Sequence, residues 1–202
     1  MTEPGSAPRL APPPVPLRTE RLVLRHVTTS DLDALRYYSD PEVCRYLPFP
    51  PADEQALAER VEAMAGRVAP SEPDEVLALV AAQDDTVVGD VVLRLRTRPD
   101  ALGPPALSPP AVAEIGWCFA PSYAGRGLAT EAATALIALA FDHYPLHRLY
   151  ASLDPRNERS AALCERLGMT REAHLRRDFP EPDGSWTDTM IYGLLREEWP
   201  PA

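Results

Sequence analysis

The 202-residue sequence predicts a single α/β domain built on a mixed sheet. Three observations carry that reading. Segments of strand and helix periodicity follow in the order β-α-α-β-β-β-α-β-α-β-β. Some neighbouring strands are joined by turns short enough for hairpins, as at Asp84-Asp85 and Pro182-Asp183-Gly184, while others are separated by a helix and are crossovers. The length and the 45% hydrophobic content suit one complete core.

Each element has its own justification. Residues 1–16 are proline-rich and predict a disordered, polyproline-like tail, with the ordered domain at 17–200. Residues 21–27 alternate as a first strand. Ser30 or Asp31 can cap a helix running to Tyr38 and stopped by Asp40-Pro41. Leu57, Val61 and Met64 give residues 53–68 helical spacing. Residues 76–83 and 86–97 are β-rich, and Gly89 within the second predicts a bulge or a close backbone approach. Residues 98–110, rich in Pro, Gly and Ala, form a loop. A strand carrying Glu114 and Trp117 follows, then a glycine turn and a helix over 130–144 stopped by Pro145. After a strand at 147–153, Asp154-Pro155 leads into a helix over 157–167 whose left-handed cap is Gly168. Strands at 173–179 and 186–195 close the domain.

Composition narrows the function. Net charge is −10, and all 20 basic residues are arginine, as a GC-rich genome would give. Acidity argues against nucleic acid as a partner and is compatible with a cationic substrate drawn to an acidic cleft. No run is apolar enough to span a bilayer, and the N-terminus lacks the layout of a secretion signal. The three cysteines, Cys44, Cys118 and Cys164, are scattered, so neither a disulfide framework nor a metal site is expected and a reducing cytoplasm is the expected location. His143 and His147 are separated by helix-breaking Pro145 and are not expected to share a metal.

The most informative stretch is 113–132. It reads as a strand, a turn through Gly125-Arg126-Gly127, and the first turn of an alanine-rich helix at Leu128-Ala129-Thr130. Such a turn brings free backbone N–H groups and the positive end of a helix dipole to one point, suited to a phosphate or diphosphate. A dinucleotide fingerprint would want Gly or Ala where Thr130 stands, and a P-loop needs a lysine that the chain lacks.

With its neighbours, this stretch resembles the acetyl-coenzyme A loop of the GCN5-related N-acetyltransferases (GNAT), in the branch of the ribosomal-protein N-terminal (RimJ/RimL-like) enzymes. The matching residues are Leu17-Arg-Thr-Glu-Arg-Leu-Val-Leu-Arg25, Ala113-Glu-Ile-Gly-Trp117, Tyr123 to Ala132, Asn157-Glu-Arg-Ser160, Arg166-Leu-Gly-Met169 and Asp188…Tyr192…Leu195. One departure is Ala124, where the family motif carries Gln or Arg. The resemblance implies a mostly antiparallel mixed sheet, flanked by helices and splayed where the cofactor adds as a strand. It implies acetyl-CoA as cosubstrate, bound by the backbone of Trp117, Cys118 and Phe119, by residues 125–130 and by Asn157, which can equally be a helix cap.

Acetylating an amine requires a neutral nucleophile, whose free pKa is about 10.4 on the lysine scale. Glu114, beside apolar Ile115 and Trp117, is the candidate base, with a structural hydrogen-bond role as the alternative. An N–H of Cys118 or Phe119 would polarise the thioester carbonyl. Cys164 stands where the family often has a proton-donating tyrosine, although a small thiol there also suits helix packing; Ser160 is the rival donor. The acceptor is a small-molecule or peptide amine, held by residues 31–64, 98–110 and 178–188, where Tyr37, Tyr38, Tyr46 and Trp186 could stack. The chain is expected to act as a monomer or homodimer. The alternative function is a sensor or scaffold that binds an acyl-CoA without turnover.

Overall fold

The computed structural model describes residues 11–72, 74–96, 112–181 and 184–200. An eight-stranded sheet runs in the order β1-β2-β3-β4-β5-β6-β8-β7. Its strands are β1 (Leu17–Arg18), β2 (Val23–His26), β3 (Val76–Gln83), β4 (Thr86–Arg96), β5 (Val112–Phe119), β6 (Arg148–Leu153), β7 (Thr170–Pro180) and β8 (Trp186–Leu195). All neighbours are antiparallel except β5 and β6. The α-helices among the described residues are α1 (Pro41–Cys44), α2 (Glu54–Ala65), α3 (Leu128–His143) and α4 (Glu158–Arg166).

Strand alternation sorts the sheet into two faces. Leu24, Leu79, Leu93, Ile115, Leu149 and Leu194 pack against Leu136, Ile137 and Ala140 of α3 and Leu163 of α4. On the opposite face, Ala78, Val80, Val87 and Cys118 meet Leu57, Val61 and Met64 of α2. Leu136 and Ile137 are wholly buried, and burying a side chain of that size contributes about 1.5–3 kcal/mol. α2 covers only the β3–β4 side of its face; Glu114, Gly116 and Tyr150 further along remain partly exposed.

Most elements fall where the sequence puts them, with two differences. Thr28, not Ser30 or Asp31, caps the first turn, because the Asp31 carboxylate accepts from the Thr28 N–H at 2.8 Å and from Arg25 at 2.7 and 2.8 Å. In place of one helix to Tyr38, the segment makes two short 3₁₀ turns, Thr29–Asp31 and Arg36–Ser39. Asp40-Pro41 then starts a helix: the Asp40 carboxylate accepts from the Glu42 N–H at 2.9 Å, and Pro41 occupies the first turn, where no N–H is needed.

Gly89 combines both of its expected roles. The β3–β4 register shifts beside it, between Ala81 and Ala82, and a Cβ on Gly89 would lie 2.5 Å from the Phe119 ring and 2.7 Å from the Cys118 carbonyl. At the other end of the chain, residues 11–16 lie against the body. The His143 ring N–H donates to the Ala11 carbonyl at 2.7 Å, and Val15 packs on the α3 core. The loop expected at 98–110 lies outside the described residues.

Candidate active site

The parallel pair β5–β6 holds together only over Val112–Glu114 against Arg148–Tyr150. Beyond Glu114 the strands part, and β6 continues on β8 alone while β5 continues on β4. Residues 115–119 therefore have one edge without a strand partner. The Ala120 N–H donates to Val88 of β4 at 3.0 Å, and alternation gives Cys118 and Gly116 the same side. The backbone groups of Phe119 and Trp117 face the opening. Glu114 stands at its apex.

The glycine turn closes one end of the opening. Gly125 and Gly127 adopt left-handed φ values of 74° and 77°, which β-branched and other bulky residues reach only with strain. Gly127 is the N-cap of α3 and supplies no capping side chain, so the first N–H groups of the helix stay open. Behind the turn, Arg21 donates to the Arg126 carbonyl at 2.9 Å and pairs with Glu131 at 2.7 Å, while the Thr19 hydroxyl donates to Glu131 at 2.5 Å. These bonds fasten the turn to the β1–β2 segment. Gly125, Arg126 and Gly127 are exposed, Ala129 and Thr130 are half-buried, and Leu128 is buried in the core.

α4 forms the other wall. The Asn157 side chain caps it, accepting from the Ser160 N–H at 3.1 Å, and the Ser160 hydroxyl accepts from the Trp117 indole at 3.3 Å. Ser160 and Trp117 are thus tied across the opening. Cys164 is fully buried in the core, and desolvation pushes its thiol up to about 12. Arg166, part of a matching segment in the sequence but given no role there, donates to the Thr130 hydroxyl at 3.4 Å and adds a cation near the open helix end.

On the α2 side, Glu114 accepts from Arg96 at 2.6 and 3.2 Å, and Arg96 also holds Asp74 at 2.7 Å. On the adjacent strand, β4, sits a carboxylate missed from the sequence. Asp90 is buried beside Cys118, and the hydroxyls of Tyr37 and Tyr38 donate to its Oδ1 at 2.6 and 2.8 Å. Burial pushes its pKa up to about 6 despite those bonds. Tyr37 and Tyr38 are accordingly buried partners of a carboxylate, whereas Tyr46 lies 5.8 Å from the Arg156 guanidinium and Trp186 is exposed. Among the described residues, no three His, Cys, Asp or Glu side chains gather as a metal site would, and no helix is long and apolar enough to cross a membrane.

A splayed parallel pair beside an open glycine turn invites comparison with known proteins, and residues 21–170 match the model of the acetyltransferase (GNAT) domain. The chain belongs to the GNAT family of acetyltransferases. It is 29% identical over 187 residues, 91% of its length, to the uncharacterized N-acetyltransferase YnaD of Bacillus subtilis, spanning 98% of that protein. It is 33% identical over 88 residues, 44% of its length, to the Escherichia coli [ribosomal protein uS5]-alanine N-acetyltransferase, covering 45% of that enzyme. A GNAT acetyltransferase from Bacillus anthracis superposes with a TM-score of 0.74 at 28% identity, covering 89% of this chain and 98% of the other. Mycobacterium smegmatis RimJ, solved with a CoA-disulfide, superposes at 0.68 with 25% identity, covering 96% and 90%. The chain is accordingly an acetyl-CoA-dependent acetyltransferase.

Proposed function

We propose that this acetyltransferase carries an acetyl group from acetyl-CoA directly to a primary amine of a small molecule or peptide, with both substrates bound together. The observation that carries the reading is the unpaired edge of β5, open between an uncapped helix end and a carboxylate at its apex. Three features of the opening suit the cosubstrate. N–H groups of residues 125–130, with Arg126 and Arg166 nearby, suit a diphosphate. The free edge of Trp117 and Phe119 suits the amide-bearing pantetheine arm as an added strand, with the Asn157 amide alongside. Acetyl-CoA supplies an acyl thioester, which reacts by exchanging its C–S bond for a C–N bond.

The chain's own groups then manage charge and protons. The Phe119 N–H faces the opening and polarises the acyl carbonyl, a role that Cys118 cannot take because its amide faces β4. Glu114 accepts the proton lost by the amine, directly or through one water, with Arg96 fixing one carboxylate oxygen and leaving the other free. Ser160, rather than the core thiol of Cys164, sits at the wall of the opening and can pass a proton to the departing thiolate. The test is calorimetry of acetyl-CoA with the purified chain, followed by thiol release across a panel of amines. Absence of acetyl-CoA binding would sink this reading; binding without turnover on any amine would favour a sensor or scaffold.

A further inference from the structure

The acceptor side of the opening carries a local charge opposite to that of the whole chain. Along β4, the side chains facing α2 are Asp90, Val92, Arg94 and Arg96. Arg94 lies directly opposite Glu114 in the β4–β5 register, on the half-covered strip whose floor is Val92 and Gly116. From above, α2 sends down Arg60, and Arg67, just past the end of that helix, is tied by its carbonyl to the Ala78 N–H of β3 at 2.9 Å, where Ala78 pairs with Val92. The Arg60 guanidinium stacks 3.6 Å from the centre of the Phe49 ring and 5.0 Å from that of Tyr38, and its Nε is buried without a hydrogen-bond partner.

The carboxylates in this neighbourhood are committed elsewhere. Asp90 accepts from two tyrosines; Glu114 and Asp74 are both held by Arg96. Among the described residues, Arg60, Arg67 and Arg94 make no salt bridge. Burial, and then the nearby charges of Arg94 and Arg60, hold the Arg67 guanidinium below its ordinary pKa. Cations that repel one another at the edge of a cleft, in a chain of net charge −10, leave a place for an anion. Guanidinium forks match carboxylate and phosphate oxygens in particular.

We propose that Arg67 and Arg94, backed by Arg60, form an anion subsite beside Glu114, so that the amine acetylated here carries a carboxylate or phosphate of its own. The inference rests on the reading of the β5–β6 opening as the place of acetyl transfer. It points away from the cationic substrate with which the overall acidity is compatible. The amine would lie at Glu114 with its acidic group one residue pair across the ladder, at Arg94.

Two measurements on the full chain test it. In the first, CoA is held at saturation so that the diphosphate loop is filled, and inorganic phosphate is titrated at constant ionic strength while thermal stability is followed. Phosphate should stabilise the wild type, and Arg67→Gln and Arg94→Gln should each weaken that response about tenfold in phosphate concentration. Arg36→Gln, an exposed control, should not. In the second, thiol release is followed with ω-aminocarboxylates and with n-alkylamines of the same chain length. The acidic member of each pair should show a KM lower by about tenfold, and Arg94→Gln should erase the difference. If amines turn over but paired acceptors are equivalent, the inference fails and the reading of the opening stands. An unchanged phosphate response in both variants overturns it as well. Failure of the chain to bind CoA removes the reading itself, and this inference with it. If CoA binds but no amine turns over, the phosphate titration alone decides.

Discussion

The two sides of the opening are built differently. The proposed cofactor side comes from one continuous stretch, β5 through α4, and offers mainly backbone: a strand edge without a partner and a helix end without a cap. The proposed acceptor side is assembled from side chains far apart in sequence, among them Arg60, Arg67, Arg94 and Glu114. Backbone chemistry tolerates many side chains provided the glycines remain, whereas the acceptor side depends on which charges meet. Substitutions should therefore separate cleanly: glycine changes should alter cofactor affinity, and acceptor-side changes should alter turnover and amine choice.

The sharpest separation comes from Glu114→Gln. Loss of a general base lowers the rate by about 10²–10⁴-fold, and acetyl-CoA affinity should stay within twofold (about 0.4 kcal/mol) of wild type. Stopped-assay kcat/KM and calorimetry read the two quantities independently. An equal loss in both would mean that Glu114 only supports the fold through Arg96, and the division between the two sides would collapse.

Asp90→Asn comes next in size and concerns stability. The pKa of Asp90 is raised to about 6 in the folded chain, against about 3.9 when unfolded. The folded state thus holds this proton more tightly. Its stability is undiminished below the unfolded pKa and falls as pH rises towards 6. Keeping the buried carboxylate ionised costs about 3 kcal/mol once pH exceeds 6, from about two pKa units at 1.36 kcal/mol each. Asparagine still accepts from Tyr37 and Tyr38 but carries no charge. Urea unfolding should show a variant close to wild type at pH 4 and more stable by up to about 3 kcal/mol at pH 7.5. A gain that is the same at both pH values would mean that ionisation of Asp90 is not its source.

The same contrast explains what could be read from the sequence. The glycine turn, the Asn157 cap and Gly168 were legible because each is a local backbone requirement: a positive φ, a cap, a helix stop. The strands were legible from alternation, and the mixed sheet from the lengths of their connections. Asp90 was not, because an aspartate inside a strand gives no hint that two tyrosines from residues 37–38 will fold over it. The arginine cluster was hidden for a related reason: overall charge averages over a surface, and only the packing of α2 on β4 brings Arg67 near Arg94. The helix expected from Ser30 to Tyr38 failed through competition for one carboxylate. Asp31 was read as a cap, but the guanidinium of Arg25 on the neighbouring strand engages it.

Gly127→Val probes the cofactor side alone. The residue has φ of 77°, and a bulky side chain in that region costs about 1–3 kcal/mol. The chain can relieve the strain by letting the turn unwind, since the glycine is exposed and a Cβ there would meet only the Arg21 guanidinium, at 3.5 Å. Unwinding would misdirect the first amides of α3. Acetyl-CoA affinity should fall about 5- to 100-fold by calorimetry, with kcat at saturating cofactor nearly unchanged. A fall in kcat without a fall in affinity would contradict the assignment of the turn to binding.

The smallest effect expected is that of Ser160→Ala. The hydroxyl is linked to the Trp117 indole by a long bond of 3.3 Å, and hydrogen bonds of that kind contribute about 0.5–1.5 kcal/mol. A departing thiolate is itself a weak base, with a free pKa near that of cysteine, about 8.5. Water can therefore replace the serine at modest cost. Turnover should drop about threefold at pH 7, and the deficit should shrink above pH 9, where the thiolate no longer needs a proton to leave. If the deficit persists at every pH, Ser160 acts through the placement of Trp117 rather than through a proton. In that case Trp117→Phe, which keeps an aromatic ring but removes the N–H, should reproduce it.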